Sequence, residues 1–275
     1  MHIDSYFSLS NCDAEEAEYL IYGIPYDATQ SFKPGSRFAP NAIREASWNL
    51  ESYSNLFDVE LSLVKVGDAG NINCDGGFEQ IVERTKEFLG EVEGFPVAIG
   101  GEHSISFAAT SKFRKACFVV FDAHFDLRDE FDGDRFNHAC TTRRIFESGM
   151  RVAIFGVRSG IKEEKRFAEE NGIKYLHAWD FEVEKAVKMV EDFDKIYVSL
   201  DVDAFDPAFA PGVSTPEPFG LKPIDFIRFF AGIADRVVGF DVVEVVPDSN
   251  KVTQTLAAKI ILEAIAAKVR CDIPK

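Results

Sequence analysis

Cys117-Phe118-Val119-Val120 runs directly into Phe121-Asp122-Ala123-His124-Phe125-Asp126, and that junction decides how the chain is read. An apolar run of this length predicts a buried strand, and the polar residues mark where it runs out. In extended chain, side chains at i, i+2 and i+4 share a face. Asp122, His124 and Asp126 therefore point at one place. Two carboxylates with an imidazole suit a divalent ion of the Mn, Fe or Zn kind better than Ca or Mg.

Working outward, the same pattern recurs on both sides. Strand-like runs precede it at Tyr19-Leu20-Ile21-Tyr22-Gly23-Ile24, Leu63-Val64-Lys65-Val66-Gly67 and Phe95-Pro96-Val97-Ala98-Ile99. They follow it at 151–157, 173–176, 196–200 and 237–243, which makes eight. Helical spacing fills most of the intervals: Pro40 to Leu50, Phe78 to Leu89, Ser104 to about Lys115 with Ser104 as cap, Ala139 to Ser148, Lys162 to Asn171, Val183 to Val190, Pro223 to Ile233 and Lys251 to Val269. Alternation of this kind predicts an α/β fold of three layers, α/β/α, around an eight-stranded, mostly parallel sheet. With no linker or repeat, residues 1–275 are expected to form one domain. Met1 to Ala17, including His2, reads as a mobile polar tail, and Asp68 to Gly77 as a loop. The charged run Lys162 to Glu170 reads as a solvated helix face.

Composition narrows the partners. The chain has 275 residues, 46% of them hydrophobic, and a formal charge of −16 from 30 basic and 46 acidic residues. Nucleic acid and anionic membrane favour basic surfaces and fit poorly, whereas a cationic small molecule fits. No apolar stretch reaches the roughly 18 residues of a membrane span. Five cysteines without a CxxC pair, and no signal-like start, are read as reduced thiols in the cytoplasm.

Ligands in parallel α/β sheets bind beyond the carboxyl ends of the strands. His103 follows one strand, Asp122, His124 and Asp126 another, and Asp201 and Asp203 a third. Strand-end capping explains one such site more easily than three. Four carboxylates and two imidazoles exceed one catalytic zinc but match two bridged divalent ions, whose separation is typically about 3.5–4 Å. Four carboxylates balance two such ions. A hydroxide and Glu244, after the last strand, turn the cluster net negative, which favours a cationic substrate.

Gly100-Gly101-Glu102-His103-Ser104, Asp122-Ala123-His124-Phe125-Asp126, Ser199-Leu200-Asp201-Val202-Asp203-Ala204-Phe205-Asp206-Pro207 and Ala210-Pro211-Gly212 resemble the signatures of the ureohydrolase (arginase/agmatinase) family. So do Pro34 to Arg44 and Phe240-Asp241-Val242-Val243-Glu244-Val245-Val246-Pro247, and the resemblance extends in order over about residues 19 to 270. It implies an arginase-like fold and a binuclear enzyme with two Mn2+, Fe2+, Co2+ or Zn2+ being the alternatives. His103, Asp122, Asp126 and Asp201 would hold one ion. His124, Asp122, Asp201 and Asp203 would hold the other, with Asp122 and Asp201 shared. Hydroxide would attack a guanidinium carbon, releasing urea and an amine. Asp126 would orient the hydroxide, Glu244 pair with the guanidinium, and His138 pass a proton to the leaving amine. A homo-oligomer, trimeric or hexameric, is also implied.

Departures from the family pattern bear on the substrate. Arginases carry Ser-Gly-Asn before the catalytic histidine, where this chain has Asp134-Arg135-Phe136-Asn137. They carry aspartates after a Gly-x-Arg turn, where this chain has Gly156-Val157-Arg158-Ser159-Gly160-Ile161. Both differences point away from arginine and towards agmatine, hydrolysed to putrescine in polyamine biosynthesis. Val213-Ser214 and Pro218-Phe219 replace other residues in an agmatinase-like loop and leave N1-aminopropylagmatine as a competitor. Arginine, guanidinobutyrate and formiminoglutamate complete the guanidino and amidino alternatives, the last kept open by Arg128 and Arg135. Two other classes stand beside these: a two-metal phosphoesterase, opposed by the lack of a phosphate-gripping loop, and a non-catalytic metal or polyamine sensor, opposed by the intact His138 and Glu244. Asp206 is read as shaping its loop, Cys140 as near the site, and His177 as structural.

Overall fold

Side chains along each buried strand alternate between two layers of core. Val119 and Phe121 face one layer, Phe118 and Val120 the other. The same division holds for Ala153 and Phe155 against Val152 and Ile154. This double burial is why the runs are continuously apolar, as expected for a parallel sheet covered on both faces.

The computed structural model describes residues 5–272. Its strands are β1 (Tyr19–Ile24), β2 (Tyr53–Ser54), β3 (Val59–Glu60), β4 (Val66–Asn71), β5 (Phe95–Gly100), β6 (Cys117–Phe121), β7 (Arg151–Val157), β8 (Lys174–His177), β9 (Ile196–Asp201) and β10 (Val237–Val243). Eight of them form one sheet in the order β4-β1-β5-β10-β9-β6-β7-β8, and its strand pairs are parallel. The helices are α1 (Ala39–Ser47), α2 (Phe78–Glu91), α3 (Ile105–Ala109), α4 (Thr141–Glu147), α5 (Lys162–Glu170), α6 (Val183–Met189), α7 (Pro223–Ile233) and α8 (Val252–Asp272). Apolar residues of α1, α6, α7 and α8 join one core layer and those of α2, α3, α4 and α5 the other, giving the three-layer α/β/α arrangement.

The first layer is rich in aromatic rings. Phe121 meets Phe226 edge-on at 4.9 Å and Phe229 at 5.1 Å. Such pairs add roughly 0.5–1.5 kcal/mol each beyond the area they bury. The layer fixes β6 from behind, directly beneath the residues that leave its carboxyl end.

The structure departs from the sequence reading in five places. The second run of the sheet is Val66–Asn71, not 63–67; Leu61–Leu63 is a 3-10 turn, and Asp68 to Asn71 is strand rather than loop. Its polarity hid it, because buried Asp68 is neutralised by the Arg44 guanidinium, with Nε to Oδ2 and Nη2 to Oδ1 both at 2.8 Å. The amino-terminal segment is not a free tail from residue 5 onward: Phe7 and Leu9 are buried, and the Phe7 N–H donates to Asp68. His2 lies outside the described residues. The small hairpin β2–β3 is built from strands of two residues each, too short to carry a periodicity. The helix after His103 is short, Ile105–Ala109 followed by a 3-10 turn at Ser111–Phe113. Ser104 does not cap it; its hydroxyl donates to Glu102 at 2.6 Å. On α5, Glu164 is buried rather than solvated, and accepts the backbone N–H groups of Leu127 and Ile161 at 3.0 Å each. Among the described residues the five cysteines are unpaired, and no helix is long and apolar enough to cross a membrane.

Candidate active site

Four strands that are neighbours in the sheet, β5, β10, β9 and β6, supply the polar residues at its carboxyl edge. His103 follows β5, Asp122 to Asp126 follow β6, Asp201 ends β9 with Asp203 just beyond it, and Glu244 follows β10. Chain order does not disclose this adjacency. The parallel register does, because it brings all four carboxyl ends to one level.

Local backbone explains why the turns carry these residues. A side chain at Gly101 would collide with the Tyr26 backbone, so glycine lets the chain turn tightly before His103. Asp126 and Glu244 both adopt positive φ, 50° and 66°. Non-glycine residues in this region carry strain of order 1–3 kcal/mol and collect at functional sites. The Glu244 N–H donates to the Gly101 carbonyl at 2.8 Å, which fastens the turn after β10 to the one after β5.

The side chains converge. His103 Nδ1 lies 2.9 Å from Asp126 Oδ2, 3.2 Å from Asp122 Oδ2 and 3.4 Å from Asp201 Oδ2. His124 Nδ1 lies 3.1 Å from Asp203 Oδ2 and 3.3 Å from Asp122 Oδ1. Two sets of three ligand atoms result, His103–Asp122–Asp126 and Asp122–His124–Asp203, with Asp122 in both. His103 Nδ1 and Asp122 Oδ2 are buried without a hydrogen-bond partner of acceptable geometry. Buried polar atoms are rarely left so, and atoms aimed at a shared point are what a cation would satisfy. The donor set therefore fits two divalent ions.

The electrostatics agree. Burial pushes Asp126 up to about 7, with the Asp122 charge adding to it. Burial and Glu102 push Glu244 up to about 8. Burial and the neighbouring carboxylates Asp203 and Asp122 hold Asp201 well above its usual range. Burial disfavours the charged forms of His103 and His124, but the surrounding carboxylates outweigh it and hold both imidazoles well above theirs. Asp122 alone goes the other way: the two imidazoles overcome its burial and keep it ionised. Crowded acids that retain protons lack positive charge.

A cavity of about 270 Å³ opens over this cluster and is lined by His103, His124, Asp126 and Glu244 together with His138 and Phe131. His138 Nδ1 is 3.3 Å from Thr29 Oγ1 and Nε2 is 3.2 Å from Ser31 Oγ. Burial brings its pKa down to about 4. Arg128 reaches the cavity, whereas Arg135 lies outside the residues that line it and pairs with Asp129 at 3.0 Å. Cys140 is buried with its thiol towards the Asp134 carbonyl and does not line the cavity. Asp206 accepts the N–H groups of Ala208 and Gly220 and shapes its loop. His177 stacks on Trp179 at 4.6 Å, away from the cluster.

Several contributors were not singled out from sequence. Gln30 donates to Glu244 Oε2 at 2.6 Å, and Thr29 donates to Glu102. Thr215 donates to Asp203 at 3.2 Å. Arg158 Nη2 donates to the carbonyls of Asp203 at 2.6 Å and Glu217 at 2.7 Å, tying two loops together. Glu102 lies within Gly100-Gly101-Glu102-His103-Ser104 and Arg158 within the Gly156-Val157-Arg158 turn. Thr29 and Gln30 lie in a loop whose Pro34-Gly35 pair says only that it turns.

A sequence profile of the Arginase family matches residues 17–267. An agmatinase of Pyrococcus horikoshii is 41% identical over 271 residues, covering 95% of this chain and 96% of that protein. An N(1)-aminopropylagmatine ureohydrolase of Thermococcus kodakarensis is 37% identical over 268 residues, covering 94% and 93%. The crystal structure of agmatine ureohydrolase of Thermoplasma volcanium superposes with a TM-score of 0.91 at 32% identity, covering 98% of this chain and 96% of that one.

Proposed function

The chain belongs to the arginase family, and on that premise we propose that it hydrolyses agmatine to putrescine and urea, with two Mn2+ held by His103, Asp122, Asp126 and Asp201 and by His124, Asp122, Asp201 and Asp203. The observation that carries the metal reading is the pair of ligand triplets sharing Asp122, with His103 Nδ1 and Asp122 Oδ2 left without hydrogen bonds. Two bound divalent cations supply a hydroxide near neutral pH and stabilise the charge that develops on its target.

The protein's own residues do the rest. Asp126, at positive φ and beside His103, would accept a hydrogen bond from the attacking water and set its direction. Glu244 has one oxygen on the His103 N–H and the other towards Gln30, so its carboxylate is fixed before substrate arrives and pairs with the guanidinium. His138, neutral at pH 7 because of its burial, takes up a proton and hands it to the departing amine. Arg158 holds the loops around Asp203 and Glu217 in place.

Agmatine is favoured over arginine because Ser159, Gly160 and Ile161 present no acid side chain after the Gly-x-Arg turn. The relatives include both an agmatinase and an N(1)-aminopropylagmatine ureohydrolase, and the longer amine is the second reading. The same proposal takes the chain as one catalytic domain, cytoplasmic, homo-oligomeric and acting in polyamine biosynthesis. Urea release from a panel of agmatine, N1-aminopropylagmatine, arginine and guanidinobutyrate in Mn2+ decides the substrate. Turnover of none of these by metal-loaded protein would sink the proposal, and hydrolysis of a generic phosphomonoester would replace it.

A further inference from the structure

Ser199 and Asp241 stand opposite each other in register on the paired strands β9 and β10, and both are fully buried. A carboxylate in the middle of a sheet is costly unless it is compensated, and no step proposed above uses this one. Ser199 Oγ donates to Asp241 Oδ1 at 2.5 Å. As a carboxylate, Asp241 accepts hydrogen bonds without donating any.

A serine hydroxyl carries one proton. With that proton committed to Asp241, Ser199 Oγ can only accept from its other neighbours. One of these is His103 Nε2 at 3.3 Å, another the Ser106 hydroxyl at 3.3 Å. The opposite ring nitrogen, Nδ1, faces Asp122, Asp126 and Asp201.

We propose that Asp241 is a positioning residue that, through Ser199, keeps the His103 proton on Nε2 and presents Nδ1 as a bare ligand to one of the two divalent ions. The inference rests on the binuclear reading above. Without the carboxylate, the Ser199 hydroxyl is free to turn and donate to Nε2, which favours the tautomer protonated on the metal-facing nitrogen. Partners of this kind on a metal-bound histidine are worth roughly 10- to 100-fold in metal affinity. A carboxylate that served only the sheet would behave otherwise: its exchange for an apolar side chain would leave the affinity for both ions unchanged.

The test compares Asp241→Leu and Ser199→Ala with the wild-type protein, titrated with Zn2+ and labelled with 15N-histidine. Both variants are expected to bind one ion about 10- to 100-fold more weakly while holding the second. The His103 Nε2–H signal should exchange faster with water, and the metal-free melting temperature of Asp241→Leu should not fall. Wild-type affinity for both ions with an unchanged Nε2–H signal overturns the proposal, as does equal weakening of the two. If Asp241→Leu does not fold, Ser199→Ala decides alone. A wild-type chain that takes up no Zn2+ sinks the binuclear reading instead. The Nε2–H signal of the metal-free protein then scores the hydrogen bond: lost in Ser199→Ala it stands, retained it fails.

Discussion

Glu244 Oε1 accepts the backbone N–H of His103 at 2.6 Å, so the acid that follows β10 is fastened to the residue that supplies an imidazole after β5. Its other oxygen accepts from Gln30, and its own N–H is held by Gly101. The positive φ of Glu244 is the conformational cost of this arrangement. A carboxylate so fully engaged does not search for its partner, and a guanidinium in the cavity would supply the charge that ionises it against the burial that raises it to about 8.

Glu244→Gln tests that charge. The amide oxygen still accepts from His103, so the metal residues stay in place, but a charged hydrogen bond to a guanidinium, worth about 1.5–3 kcal/mol, is lost. The value of kcat/KM for agmatine should drop roughly 10- to 100-fold, with metal content unchanged. A variant within twofold of the wild type would remove Glu244 from substrate binding.

Metal content separates the proposed shared ligands from the proposed proton carrier. Asp122 belongs to both ligand triplets, and Asp201 lies against the same His103 nitrogen. Asp122→Ala and Asp201→Ala should each abolish binding of the metal pair. His138 touches Thr29 and Ser31, not the carboxylates, so His138→Ala should keep both ions and lose about 10²- to 10⁴-fold in rate. Mass spectrometry of the three proteins under non-denaturing conditions reads the outcome, and loss of metal from His138→Ala would contradict it.

The parts of this site that were legible in sequence share one property: their signal is local. A buried apolar run ending in acids, joined by a histidine after β6, marks β6 and β9 whatever surrounds them. Asp68 and Glu164 failed for the complementary reason. Each is an acid satisfied from far away in the chain, by Arg44 and Phe7 in one case and by the Leu127 N–H in the other, so that a polar letter stands for a buried position. Asp241 was visible as an acid inside an apolar strand, but its partner Ser199 is 42 residues distant and only strand register joins them. The adjacency of β5, β10, β9 and β6 likewise follows from strand order in space, which alternation of helices and strands does not specify.

Arg44 offers a stability test that follows from the same lesson. Its guanidinium is buried, doubly paired with Asp68 and bonded to Asn71 and Gly70. Arg44→Ala leaves Asp68 buried without its counter-charge, which costs about 3–5 kcal/mol. Denaturant unfolding should show a loss of that size. A change under about 1 kcal/mol would mean the pair behaves like a surface ion pair.

Proton linkage gives the last test. In the metal-free protein Asp126 is raised to about 7 and Glu244 to about 8, and Asp201, His103 and His124 are also raised. Each of these holds protons more tightly folded than unfolded, so each contributes stability that is lost as pH rises through its folded value. Two groups run the other way. Asp122 is lowered, and its contribution is lost only in strong acid. His138, brought down to about 4, loses stability as pH falls below its unfolded value of about 6.5. The window from about pH 6.5 to about pH 8 therefore belongs to the raised groups. Across it the metal-free melting temperature should fall. Saturating Mn2+ replaces those protons with fixed positive charge, so the loaded protein should show no such decline, and Mn2+ affinity should rise with pH because binding expels protons. Calorimetric titration with Mn2+ in two buffers of different ionisation enthalpy counts those protons, and the count should be larger at the acidic end of the window. A metal-free melting temperature that climbed between those limits, or metal uptake without proton release, would show that the carboxylates and imidazoles at this sheet edge are not the groups a cation displaces protons from.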